Sequence, residues 1–77
     1  MKEFILHVAR ALAEHPEEVA VTELEGEQTV IFELRCNPKD LGRLIGKNGK
    51  TVSAVRTLVS NIAAKHGRRA MLEVVER

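Results

Sequence analysis

Gly46 and Gly49 enclose two polar residues, Lys47 and Asn48, with the apolar pair Leu44-Ile45 just before them and a helix-period stretch, 50–66, just after. No other part of the chain restricts its folding and its chemistry so strongly. A residue without a side chain lets bare backbone approach another group closely. The lysines at 47 and 50 indicate that this group is anionic. The loop also joins two helical stretches, so it has to turn the chain within a few residues.

The flanking pattern supplies the rest of the fold. Residues 3–14 carry Phe4, Ile5, Val8 and Leu12 on one stripe and predict a first helix. Pro16 stops it, because the residue before a proline is pushed out of the helical region. Residues 19–25 and 28–36 predict two strands. In the second, Val30, Phe32, Leu34 and Cys36 alternate with Ile31, Glu33 and Arg35. Gly26, between Glu25 and Glu27, supplies the short turn of a hairpin.

Asn37-Pro38 then opens a short helix, with asparagine as N-cap and proline at the first helical position. Asp40 falls in its first turn, where the helix dipole favours negative charge. Gly42 weakens this helix and Gly46 ends it. Residues 50–66 predict the longest helix, with Val52, Val55, Leu58, Val59, Ile62 and Ala63 on one arc. Gly67 is its C-terminal cap. Residues 69–75 predict a last strand with Ala70, Leu72 and Val74 on one side. A helical crossover between strands places them parallel. The expected fold class is therefore α+β: a three-stranded mixed sheet with three helices packed on one face.

The 77 residues suit a single domain, 1–77. A chain this short buries only about 60% of its unfolded surface, which leaves little room for an elaborate catalytic pocket. The net charge of +1 is uninformative, but its distribution is not. Residues 1–34 hold two bases against eight acids. Residues 35–56 hold Arg35, Lys39, Arg43, Lys47, Lys50 and Arg56 against Asp40 alone. A basic block centred on a glycine loop is the footprint of phosphate contact, although charge runs are also ordinary solvated surface.

Four readings of the loop compete. Gly49-Lys50-Thr51 is like the end of a P-loop, but that motif needs a glycine where Leu44 stands and a strand leading in. Asn48-Gly49 is a hairpin-turn signal, but residues 50–66 have helical periodicity rather than alternation. A plain helix connection, with Gly46 as C-cap and Asn48 as N-cap, accounts for Gly46. It does not account for Gly49 near the helix start, or for the bases around the loop. Phosphate clamping accounts for all of them. The free amides around Gly49, Lys50 and Thr51 and the positive helix end favour an anion there. Lys47 and Lys50 add charge, and Asn48 can donate a hydrogen bond.

Leu44-Ile45-Gly46-Lys47-Asn48-Gly49-Lys50-Thr51-Val52 resembles the signature of the KH domain, two aliphatics, Gly-x-x-Gly, two residues and an aliphatic. The element order is similar to the prokaryotic (type II) KH arrangement. Residues 25–30, 38–42 and 56–58 extend the resemblance over nearly the full length, to the small stand-alone bacterial KH proteins of the KhpA family. That resemblance implies a single-stranded RNA-binding protein whose Gly-x-x-Gly loop clamps about four nucleotides of backbone. It implies an RNA chaperone or post-transcriptional regulator in the cytoplasm.

The implied groove is built from the short helix, the loop, the start of the long helix and the second strand. Its expected lining is Gly42, Arg43, Ile45, Gly46, Lys47, Asn48, Gly49, Lys50 and Val52, with Ile45 and Val52 assigned to the core first and the groove second. Arg35 and Arg56 are candidates at its edges, equally readable as solvated arginines. The resemblance further implies a homodimer and a heterodimer with a KhpB (Jag)-type protein. The alternative function is an interaction module that pairs with such a partner in control of cell division and envelope growth.

Other chemistry has little support in the sequence. His7, His15 and His66 are far apart and have no Cys or His at ligand spacing, so no metal site is expected. Cys36, the single cysteine, lies on an apolar strand face and reads as a buried thiol in a reducing compartment. The acids are scattered rather than paired, so no catalytic residue, cofactor or enzyme activity is expected. No run of 18 apolar residues exists to span a membrane, and the amino terminus is not a signal peptide. Phe4 and Phe32 are the only aromatics, and Phe32 reads as core. A binder that stacks bases on strand aromatics would need more.

Overall fold

The computed structural model describes residues 1–76. Its elements are α1 (Lys2–Leu12), a 3₁₀ turn (Pro16–Glu18), β1 (Ala20–Glu25), β2 (Thr29–Cys36), α2 (Pro38–Ile45), α3 (Gly49–Lys65) and β3 (Arg69–Glu76). The sheet order is β1-β2-β3, with β1 antiparallel and β3 parallel to the central β2. This is the expected α+β architecture.

One face of the sheet makes the core. Val21 of β1 pairs with Leu34, and Phe32 pairs with Leu72 of β3. Alternation along β2 buries Val30, Phe32, Leu34 and Cys36 together, while Arg35 is exposed on the opposite face. The helices cover the apolar face with Ile5 and Ala9 of α1, Leu44 of α2, and Val52, Val55, Val59 and Ala63 of α3. Burial raises the Cys36 thiol pKa above its ordinary value, and the nearby Asp40 charge adds to the rise.

Two apolar stripes are narrower than their periodicity suggests. Phe4 is 41% exposed, because the buried arc of α1 is centred on Ile5 and Ala9 and Phe4 falls at its margin. On α3, Leu58 and Ile62 are 50% and 41% exposed, since the spacing of Val52, Val55, Val59 and Ala63 alone fills the sheet-facing side.

The connections follow local chemistry. Gly26 donates its amide to Thr29 O at 2.7 Å and closes the hairpin. Gly67, at φ 70°, ends α3 in the left-handed region, with Arg68 N–H bonded to Ala63 O and Gly67 N–H to Ala64 O. Arg68 also reaches the hairpin, donating to Gly26 O at 3.2 Å.

Helix α1 stops at Leu12, earlier than Pro16 requires. Ala13 is extended, and the next two amides leave the helix for a side chain. Glu14 and His15 each donate their N–H to a carboxylate oxygen of Asp40 at 3.0 Å. His15 Nδ1 lies 3.2 Å from the same carboxylate. Asp40 is buried, and above all the Glu14 amide holds its pKa below the ordinary value, with the His15 amide and ring adding to this against the effect of burial. The connection after α1 is thereby fastened to the first turn of α2.

Candidate nucleic-acid interface

Helix α2 is eight residues long and contains a glycine, so its own propensity does not hold it. Three attachments do. The Asn37 side chain accepts from Lys39 N–H at 2.8 Å, Asp40 binds the α1 connection, and Leu44 is fully buried. Its end is therefore fixed where the glycine loop begins.

The loop is tight. Gly46 N–H bonds to Gly42 O at 2.8 Å, Asn48 N–H to Arg43 O at 2.8 Å, and Gly49 N–H to Gly46 O at 3.0 Å. The amides of Lys47, Lys50 and Thr51 have no main-chain partner among the described residues. The open donors therefore differ from the expected set: Gly49 is engaged within the loop, and Lys47 is open in its place.

The two glycines are not equivalent. A Cβ on Gly46 would stand 2.9 Å from Gly42 O, a backbone atom that cannot swing aside. A Cβ on Gly49, or on Gly42, would meet nothing within 4 Å. Gly46 is required by the turn itself, whereas Gly49 leaves the surface bare where α3 begins.

Beside the loop lies an open cleft of about 220 Å³, lined by Leu44, Ile45, Gly49, Val52, Arg56 and Val74. Its walls are α2, the start of α3 and β3. The strand wall is β3, not the second strand as the resemblance implied. β2 is central in the sheet, while β3 lies at its edge next to α3. Arg56 is held against that wall by its Nε, which donates to Leu72 O at 3.2 Å.

The expected site residues separate into groups on this geometry. Ile45, Gly49, Val52 and Arg56 line the cleft. Ile45, assigned first to the core, is 60% exposed, because Leu44 alone fills the buried position at the end of α2. Val52 is buried and serves both core and cleft. Lys47 and Lys50 are exposed beside the loop and form no ion pair among the described residues. Asn48 caps nothing with its side chain.

Two arginines fall outside the cleft. Arg35 lies on the open face of the sheet, 3.3 Å from Glu33, because odd positions of β2 point away from the helices. Arg43 points along the other flank of α2 and is ion-paired with Glu14. Val74 and Leu44 belong to the cleft and were absent from the expected lining. The alternation of β3 had already placed Val74 on the inner face.

Between Gly42 and Arg56 the chain contains no acid; Lys47 and Lys50 are exposed at the loop and Arg56 lines the cleft. No group of three His, Cys, Asp or Glu among the described residues could hold a metal ion. No helix of the described chain is long and apolar enough to cross a membrane.

The model of the KhpA/KhpB KH-domain family matches residues 2–74. The RNA-binding protein KhpA of Chlamydia pneumoniae is 41% identical over 76 residues, covering 99% of this chain and 97% of the relative. That of Aquifex aeolicus is 42% identical, covering 99% and 96%. That of Clostridium acetobutylicum is 39% identical over 75 residues, covering 97% and 100%. No solved structure matches the chain significantly. With its glycine loop, its element order and a family match over almost its whole length, the chain belongs to the KhpA/KhpB KH-domain family.

Proposed function

We propose that this protein binds single-stranded RNA without catalysis, seating the sugar-phosphate backbone on the Gly46–Gly49 loop and bases over the cleft beside it. The observation that carries the reading is the open start of α3. There, amides at Lys47, Lys50 and Thr51 and two lysines, all without a partner among the described residues, lie together with the bare surface of Gly49, and the loop contains no acid. Backbone amides at a helix start and lysine charge are the groups that bind phosphate. The aliphatic side chains of Ile45, Val52 and Val74 offer bases an apolar floor. The relatives named as RNA-binding proteins support the same reading.

One cleft of this size gives modest affinity. Joining two in a homodimer, or with a KhpB (Jag)-type partner, raises avidity without new RNA contacts. The half-exposed Leu58 and Ile62 on the outer flank of α3 favour such a partner surface. The cellular role is that of a cytoplasmic RNA chaperone or post-transcriptional regulator. Pairing chiefly with a protein, in control of cell division and envelope growth, is the second reading.

The test is fluorescence anisotropy with a pool of short single-stranded RNAs, comparing the native chain with a Lys47→Asp, Asn48→Asp double variant checked for folding by circular dichroism. The expected result is RNA binding that weakens with salt and at least a tenfold loss in the variant, about 1.4 kcal/mol. Equal binding by both proteins would remove the loop from the site.

A further inference from the structure

We propose that Glu14 sets the affinity of the RNA clamp by competing with phosphate for Arg43. This rests on the RNA-binding reading above. Glu14 is not a loosely placed surface acid. Its own amide is bonded to the buried carboxylate of Asp40 at 3.0 Å, and the neighbouring His15 amide is bonded to the same group. Those bonds pin the main chain at Glu14 beside the first turn of α2. From there its carboxylate takes the guanidinium of Arg43, one turn further along α2.

The pair is accessible, with the Arg43 and Glu14 side chains 35% and 59% exposed. An exposed ion pair holds its partners only a few-fold more strongly than water does, so a competing anion can break it. A phosphate offers a guanidinium two parallel hydrogen bonds. Arg43 precedes Gly46 by three residues, a rise of about 4.5 Å along a helix, so its side chain can swing to a phosphate seated on the loop. Lys47 and Lys50 have no such partner among the described residues. In the free protein the clamp therefore holds two bases ready and a third in reserve, and breaking the Glu14 contact lowers the net gain from recruiting it.

The experiment titrates a fluorescein-labelled mixed-sequence single-stranded RNA across a range of potassium chloride. The proteins are the native chain, Glu14→Gln, Glu17→Gln, Arg43→Gln and the Glu14→Gln, Arg43→Gln double variant. Glu17 is an exposed acid in the neighbouring turn, so its variant removes the same charge at a different place. Glu14→Gln keeps the amide that Asp40 binds, and circular dichroism verifies the fold.

The expected result is RNA binding about two- to fivefold tighter in Glu14→Gln at low salt, of the size of one exposed ion pair. The salt slope should steepen by up to about 0.7, the value of one full phosphate contact on a single strand. Glu17→Gln should leave the slope unchanged, and the gain should vanish in the Arg43→Gln background. Equal effects at Glu14 and Glu17, or a gain that survives without Arg43, would overturn the inference and leave the RNA reading standing. Absence of binding by every protein at low salt would overturn both.

Discussion

Helices α2 and α3 both begin at an asparagine, and the two asparagines are used differently. Asn37 is extended, accepts the Lys39 amide at 2.8 Å and donates to Glu18 at 2.9 Å. Asn48 makes no cap with its side chain. The surroundings repeat the contrast. At the start of α2, Asp40 is buried and bonded to two amides and a histidine ring. At the start of α3, the Lys50 and Thr51 amides have no main-chain partner and the lysines no ion pair among the described residues. A helix start whose polar groups are satisfied internally serves the fold, whereas one left open to solvent is free to bind water or a ligand.

The strongest way to break this contrast is to loosen the closed end. Leu44 is fully buried at the end of α2 and also touches the cleft. Leu44→Ala should cost about 2–5 kcal/mol of stability in urea unfolding. A cost below 1 kcal/mol would mean that α2 is not anchored through the core. Next in size is the glycine pair. Gly46→Ala forces a methyl against a carbonyl and should destabilise by about 1–3 kcal/mol. Gly49→Ala meets nothing and should stabilise the helix by up to about 1 kcal/mol, yet weaken RNA binding by adding bulk where backbone approaches backbone. Opposite signs in stability, read by thermal denaturation, sharpen the division between the two glycines. Equal signs would erase it.

Acid offers a separate probe of the closed end. The Asp40 carboxyl has its pKa lowered by the Glu14 and His15 amides. A group lowered on folding stabilises above its ordinary value, near 3.9, and that contribution is lost as pH falls through the lower folded value. The stability difference between native protein and Asp40→Asn should therefore be full at neutral pH and shrink below about pH 4. A difference independent of pH down to strong acid would mean that charge on Asp40 contributes nothing.

Most of the fold was legible because it is written in local periods and caps. β2 alternates, Asn37-Pro38 opens α2, and Gly67 ends α3 as its composition indicates. The glycine loop was legible for the same reason, since its residues are contiguous. What could not be read is contact between residues distant in sequence. The end of α1 depends on Asp40, a residue 25 and 26 positions away, so a local reading runs the helix on toward Pro16. The cleft wall depends on which strand lies beside α3, which is a matter of sheet order and not of spacing. Arg43 and Arg35 looked like part of one basic block, but Glu14 and the sheet pleat direct them elsewhere. Charge counted along a chain says nothing about the face on which it lies.

The smallest effect bears most directly on the two asparagines. Replacing an asparagine cap by alanine costs about 0.5–2 kcal/mol where the side chain satisfies a helix amide. Asn37 does so, and Asn37→Ala should lower stability by about 1 kcal/mol. Asn48 does not, so Asn48→Ala should stay within about 0.5 kcal/mol of the native protein, as for a surface change. Urea unfolding of both variants resolves that difference. The same two proteins should reverse their order in RNA binding: Asn48→Ala weakens it by removing a donor beside the phosphate path, and Asn37→Ala leaves it nearly intact while the protein stays folded. If Asn48→Ala instead proved as destabilising as Asn37→Ala, the start of α3 would be a capped helix like any other, and its free polar groups would lose their claim to a ligand.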